Sequence, residues 1–184
     1  MLKTKIIEEI SDDSTRLFLR KISSSDAKFF YESLTEISVS KYLSLGPLES
    51  LDHAKKIIKS YLKSWDQMLQ FNYVIELRNK EVKKIGSISV WGISWLHRRA
   101  EIGIWINSKY WNQGIGEKAI NLVKIIAYQY LNLNRLEAHI VVDNTKSINL
   151  FKKCEFEAEG LLKQYLNFKG TYYDAYILAC IKKL

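Results

Sequence analysis

Two glycines one residue apart, Gly114 and Gly116, stand between the apolar run EIGIWIN and an amphipathic stretch that reads as a helix. Glycine at such a junction serves either a tight turn or the close approach of a ligand to bare backbone. At a helix start, the amides of Asn112, Gln113, Gly114, Ile115, Gly116 and Glu117 lack intrahelical partners. With the positive end of the helix dipole behind them, they favour an anion. A hydrogen bond to a charged acceptor is worth about 1.5–3 kcal/mol, so three or four amides could hold a pyrophosphate without a lysine. The common nucleotide motifs do not fit: there is no third glycine at Rossmann spacing and no Gly-Lys-Ser/Thr.

The other residues able to do chemistry are scattered. Glu101 opens RAEIGIWIN and is either a proton acceptor or the partner of Arg98 or Arg99 in a surface ion pair. Ser147, in TKSINLFKKC, has a hydroxyl that either donates a proton or bonds its own helix. His53, His97 and His139 fall on a helix, a loop and an apolar strand, and are expected to be structural or solvated. Asp174 is expected to orient an amine or to pair with a lysine. Trp91, Trp95, Trp105 and Trp111 cluster around the glycines in sequence, and core packing is the commoner use of such residues. Cys154 and Cys180 lack metal-ligand spacing and read as free thiols of a reducing cytoplasm, so no metal site is expected.

Periodicity supplies the elements that must position these residues. TRLFLRKI alternates as a strand, and SSSDAKFFYESLTE reads as a helix capped by Ser24 or Ser25. After the single proline, Ala54, Ile57, Ile58, Tyr61, Leu62, Trp65, Met68 and Leu69 recur at helical steps behind a cap at Ser50 or Asp52. FNYVIEL, KKIGSISVWG and RAEIGIWIN read as three strands, followed by the helix after the glycines. RLEAHIVV is a strand, TKSINLFKKC a short helix, and GLLKQYLNF with TYYDAYILACI a hairpin turning at Lys169-Gly170. The order β-α-α-β-β-β-α-β-α-β-β predicts an α/β fold with a mixed sheet, as one domain over residues 1–184. The N-terminal stretch reads as neither a signal peptide nor a membrane span. The net charge of +8 is spread over both halves, which suits a polyanionic ligand or RNA without singling out either.

AEIGIWIN, then YWNQGIGEKA, then RLEAHIVVDNTKSINLFKKCEFEAEGLL resemble the GNAT superfamily of N-acetyltransferases. Within it, the likeness is to the branch holding the ribosomal-protein N-terminal acetyltransferases. LFLRKISSSDAKFFYESL resembles that branch's opening strand and helix, and GTYYDAYILACI its closing strand. The resemblance implies an α/β (α+β) fold: a mixed, mostly antiparallel sheet of about seven strands flanked by about four helices. It also implies acetyl-CoA as cofactor, its diphosphate held by the amides from Asn112 to Glu117. The pantetheine arm would run along the backbone of Ile104 and Ile106, with Asn144 touching the arm. Glu101 matches a glutamate of relatives that serves as base, and Ser147 stands in as donor to the leaving thiolate. Three positions depart from the pattern: Trp111 replaces the commoner Arg or Gln, Phe151 the tyrosine acid of many members, and Glu155 a glycine.

The implied reaction is acetyl transfer to a primary amine in the cytoplasm, most readily the N-terminal α-amine of a protein, a ribosomal one in particular. The alternatives are a small amine acceptor (a polyamine, amino sugar or amino-acid-like compound) and a non-catalytic acyl-CoA- or RNA-binding module. No DNA or membrane partner is expected, and dimers are common among similar proteins.

Overall fold

The computed structural model describes residues 8–183. The chain begins with β1 (Glu9–Asp12) and β2 (Leu17–Lys21). A single 3₁₀ turn, Ser24–Asp26, leads into α1 (Ala27–Leu34); then come α2 (Ile37–Ser40) and α3 (Leu51–Asp66). The strands β3 (Phe71–Arg78), β4 (Val82–Ser94) and β5 (Arg99–Ile106) form a meander. There follow α4 (Ile115–Ile125), β6 (Arg135–Val141), α5 (Thr145–Lys153), β7 (Glu157–Phe168) and β8 (Thr171–Ile181).

All eight strands join one sheet in the order β1-β2-β3-β4-β5-β6-β8-β7. Every neighbouring pair is antiparallel except β5–β6, which is parallel. Two elements go beyond the seven strands and four helices expected. Both β1 and α2 are four residues long, too short for a periodic signal. The cap expected at Ser24 or Ser25 is Ser23, whose amide and hydroxyl both donate to Asp26 at 2.8 and 3.0 Å. Ser50 does cap α3, accepting the His53 amide at 3.1 Å, but the helix ends at Asp66 and not at Leu69, because Met68 turns to a left-handed φ of 56° and Met68 and Leu69 are exposed. The last hairpin turns at Lys169 (φ 51°) and Gly170 (φ 86°), the left-handed pair that a two-residue turn requires.

Alternation along each strand sends one set of side chains to each face. On one face Leu19, Ile75, Ile102, Ile120 and Val123 belong to a single buried cluster that joins the sheet to α4. On the other, Val74 and Trp105 pack with Phe30 of α1 and Ile58 of α3. The Trp105 ring meets Phe30 edge-on at 5.2 Å. Burial of each such side chain contributes roughly 1.5–3 kcal/mol, so α1, α3 and α4 are held mainly by their apolar stripes. At the start of this second face lies a charged network. Asp26 is fully buried and meets Arg20 at 3.0 Å and Lys84 at 2.6 Å; Glu76 meets Arg20 at 2.7 Å and Arg78 at 2.9 Å. Burial alone would raise the Asp26 carboxyl, but hydrogen bonds from Arg20, Lys84 and the Ser23 amide hold it below the usual carboxylate range. No helix among the described residues is long and apolar enough to cross a membrane.

Candidate functional site

The two glycines of the loop do different work. Gly114 caps α4 at φ 74°, in the left-handed region, and a Cβ placed there would meet no atom within 4 Å. Gly116 has an ordinary backbone, but its Cβ would lie 2.9 Å from Leu150 Cδ2 on α5 and 3.5 Å from Ile106 Cδ1. Backbone geometry requires the first glycine and helix–helix packing the second. Asn112 also adopts a positive φ, 60°. The first amide of the helix that bonds within it is Lys118, donating to Gly114 O at 3.3 Å. Among the described residues, none of the amides from Asn112 to Glu117 donates to a protein carbonyl. Trp111 ties the loop down by donating its indole N–H to Ile106 O at 2.7 Å, and Lys146 lies over its ring at 4.8 Å.

Beside this loop the sheet parts. Strands β5 and β6 pair only at Arg99–Arg135, Ala100–Leu136 and Glu101–Glu137. Past those rungs a cavity of about 890 Å³ opens between them. Peptide groups alternate in direction along a strand. Asn107 donates back to Ile85 O on β4 at 2.8 Å, so Ile104 and Ile106 turn their peptide groups the other way, into the gap. Trp111 already takes the carbonyl of Ile106, while that of Ile104 has no protein partner among the described residues. Ile104, Ile106, Asn112, Gly114, Ile115, Gly116 and Glu117 all line the cavity. Gln113 does not; its side chain donates to Lys109 O at 3.0 Å and braces the loop from outside.

The far wall comes from α5. Asn144 caps this helix, its Oδ1 accepting the Ser147 amide at 3.3 Å. Both residues line the cavity, and among the described residues the Ser147 hydroxyl makes no hydrogen bond. Phe151 is buried and meets Phe156 edge-on at 5.0 Å. Glu155 has φ 67°, a conformation that suits glycine at the end of a helix. In place of glycine's freedom the chain uses ion pairs: Lys183, then Lys124 at 2.9 Å, hold the Glu155 carboxyl down at about 2.

Glu101 does not pair with Arg98 or Arg99. Arg99 reaches Glu137 instead, at 3.0 Å, and Arg135 meets the same carboxylate at 2.6 Å. Among the described residues the ion-pair partner of Glu101 is His139, whose Nδ1 lies 3.0 Å from Glu101 Oε2. The carboxylate is within reach but out of line for a formed hydrogen bond, so Nδ1 is buried without a hydrogen-bond partner. His139 lines the cavity and Glu101 does not. Expecting His139 to be merely structural or solvated therefore missed its position. The missing information was the parallel register, which sets residue 137 opposite residue 101 and so brings residue 139 to the mouth of the gap. Asp174 neither pairs with a lysine nor faces the cavity. Its carboxylate accepts the Gln164 amide at 2.7 Å, where the register of β7 shifts, and next to that point Tyr165 lies 4.8 Å from the His139 ring.

An unpaired run of amides at a helix start, a left-handed glycine open to the solvent side, and a backbone edge facing a gap fit a long ligand with a diphosphate and an amide-bearing arm. Lys146 and Lys153 in the cavity wall add positive charge for its phosphates. Residues 16–157 match the family described as acetyltransferase (GNAT) domain. The chain is 31% identical over 170 residues to YoaA of Bacillus subtilis, named an uncharacterized N-acetyltransferase, covering 92% of this chain and 96% of that one. Among solved structures, spermidine N-acetyltransferase from Vibrio cholerae in complex with CoA and spermine is 26% identical, with a TM-score of 0.79 over 90% of this chain and 95% of that one. RimL, a ribosomal L7/L12 α-N-protein acetyltransferase in complex with coenzyme A, is 21% identical and shares the fold, with a TM-score of 0.82 over 92% and 96% of the two chains. The family match and the relatives agree: the chain belongs to the GNAT family of N-acetyltransferases.

Proposed function

We propose that this enzyme acetylates the N-terminal α-amine of a protein, a ribosomal protein in particular, in the cytoplasm. The observation that carries this reading is the charge of the cavity wall. Its carboxylates, Asp143 and Glu117, are matched by Lys146 and Lys153. A polyamine gains most from a well of uncompensated acid, whereas a single amine needs only one local negative charge. Beyond the cavity mouth, Trp91 and Tyr165 leave 40% and 51% of their surface exposed, which suits an extended acceptor approaching across the sheet.

Bound acetyl-CoA supplies a thioester whose carbonyl carbon accepts the amine. The amides from Asn112 to Glu117 would hold its diphosphate, and the Ile104 peptide would be free to pair with its arm. Asn144, whose Oδ1 is already engaged by the Ser147 amide, has its amide nitrogen left for the same arm. Ser147 is the proton donor for the departing sulfur, since Phe151 has none to give. Glu101 supplies the negative charge that draws the proton from the amine. An α-amine has a pKa of about 7.7–8.0, against about 10.4 for an alkylamine, so it demands less of that carboxylate.

A second reading keeps the chemistry and changes the acceptor to a polyamine; the likeness to the Vibrio cholerae enzyme that binds spermine supports it. The test measures CoA thiol release with acetyl-CoA and either free-N-terminus peptides or spermidine. Peptides should give a kcat/KM at least about 10-fold above that for spermidine, a difference of about 1.4 kcal/mol. The reverse order would transfer the assignment to polyamines. Tight CoA binding without turnover of either acceptor would point to an acyl-CoA sensor.

A further inference from the structure

We propose that His139 receives the proton from the acceptor amine and that Glu101 positions the imidazole for that task. This deepens the role given to Glu101 above and rests on it. His139 lines the cavity and Glu101, whose Oε2 lies 3.0 Å from the ring, does not, so of the two the histidine is the one that borders the gap. Nδ1 is the buried nitrogen and faces Glu101 Oε2 at 3.0 Å. A carboxylate beside one ring nitrogen favours the tautomer protonated there and leaves a lone pair on the other. Nε2 is then the acceptor.

The groups around the ring fit this division of labour. Glu137, two residues earlier on the same face, is tied to Arg99 and Arg135, so it does not compete for the imidazole. From β7, Tyr165 packs its ring against His139 at 4.8 Å, and the Asp174–Gln164 bond fixes the bend beside that tyrosine. From β8, the residue directly opposite is apolar Ile177. Glu101 is the one carboxylate near the ring without a lysine or arginine partner among the described residues.

The step balances as follows. One proton of the ammonium passes to His139 Nε2 and on to water. The freed lone pair forms the C–N bond while the C–S bond breaks, its electron pair leaving with sulfur. The second amine proton ends on that sulfur, so each turnover releases one proton to solvent.

The experiment compares wild type with His139→Gln and Glu101→Gln, using acetyl-CoA with spermidine and with a free-N-terminus peptide. His139→Gln should lower kcat/KM for spermidine by about 100-fold at pH 7, and Glu101→Gln by about 10-fold. Both should keep CoA affinity by calorimetry and melting temperature close to wild type. The His139→Gln deficit should shrink as pH rises from 7 to 9.5, because more of the amine is then neutral before it binds. It should also be smaller for the peptide, and free imidazole should restore part of the rate to His139→Ala. A deficit that stays constant with pH and is not rescued by imidazole would reduce His139 to packing and overturn the proposal. Loss in Glu101→Gln with full activity in His139→Gln would make the carboxylate itself the base. Full activity in both would remove the role of Glu101 as well. If His139→Gln unfolds, the Glu101→Gln pH profile decides, since that variant keeps the ring.

Discussion

One face of the sheet carries two carboxylate clusters with opposite treatment. Beside α1, Asp26 is fully buried and Glu76 nearly so, and each is met by two permanently charged cations among Arg20, Arg78 and Lys84. Two strands along the sheet from Glu76, the side chain of Glu101 is 18% exposed and has a histidine for company. The first cluster lies beside the start of α1; the second sits where β5 and β6 part. Arginine and lysine cannot give up their charge near neutral pH, so the first cluster is fixed and serves the fold. Histidine changes charge in the physiological range, so the second can pass a proton. The cation that accompanies a carboxylate thus separates a fixed pair from one that can change charge, a more selective sign than the carboxylate itself.

The largest expected effect breaks the first cluster. Asp26→Ala removes one side of a buried ion pair, which costs about 3–5 kcal/mol, read by urea denaturation. The folded fraction should keep its CoA affinity and kcat/KM. Glu101→Gln should do the opposite, leaving the denaturation midpoint in place while slowing turnover; a variant that moved both readouts would blur the division.

A smaller pair of changes sharpens the same division between fold and ligand within the glycine loop. Gly114→Ala forces an L-residue into the left-handed region at a cost of about 1–2 kcal/mol. Because the loop must then distort, CoA affinity measured by calorimetry should fall roughly 10-fold. Gly116→Ala presses on the end of a Leu150 side chain and should cost about 1 kcal/mol of stability, recovered by adding Leu150→Ala to open space. If Gly116→Ala weakened CoA as much as Gly114→Ala, the split between backbone and packing roles would fail.

The smallest effect is on acid stability. The folded Asp26 carboxyl titrates below its unfolded value of about 3.9. Its contribution is therefore complete above that value and is lost as pH falls through the lower, folded one. Thermal melts should show wild type losing its advantage over Asp26→Asn below about pH 4, with the gap constant between pH 5 and 7.

Regular elements with a clear period were legible in the sequence: the β3–β4–β5 meander and the closing hairpin stand where alternation placed them, and α3 where helical spacing did, although it stops at Asp66, short of Met68 and Leu69. So was the meeting of loop and strand, since Gly114, Ile104 and Asn144 share one cavity. Four features were not legible. Four-residue β1 and α2 carry too little pattern. The need for glycine at 116 arises from Leu150, thirty-four positions later, which periodicity cannot anticipate. His139 looked inert because its importance depends on a parallel register, a relation between two strands that neither strand encodes alone. Asp174 likewise had a partner, the Gln164 amide, that appears only once β7 bends.

The three-rung contact of β5 with β6 has a consequence for solubility as well. A strand whose backbone groups are unpaired ordinarily invites another chain to add to it, and an outer edge such as β7 carries that hazard. The edge left by β5 instead borders a cavity that residues of α2, α4 and α5 also line. A slender chain of atoms can thread in and complete the ladder, whereas a second folded protein is too bulky to enter. Strand-pairing capacity is thus stored for a small partner and withheld from aggregation.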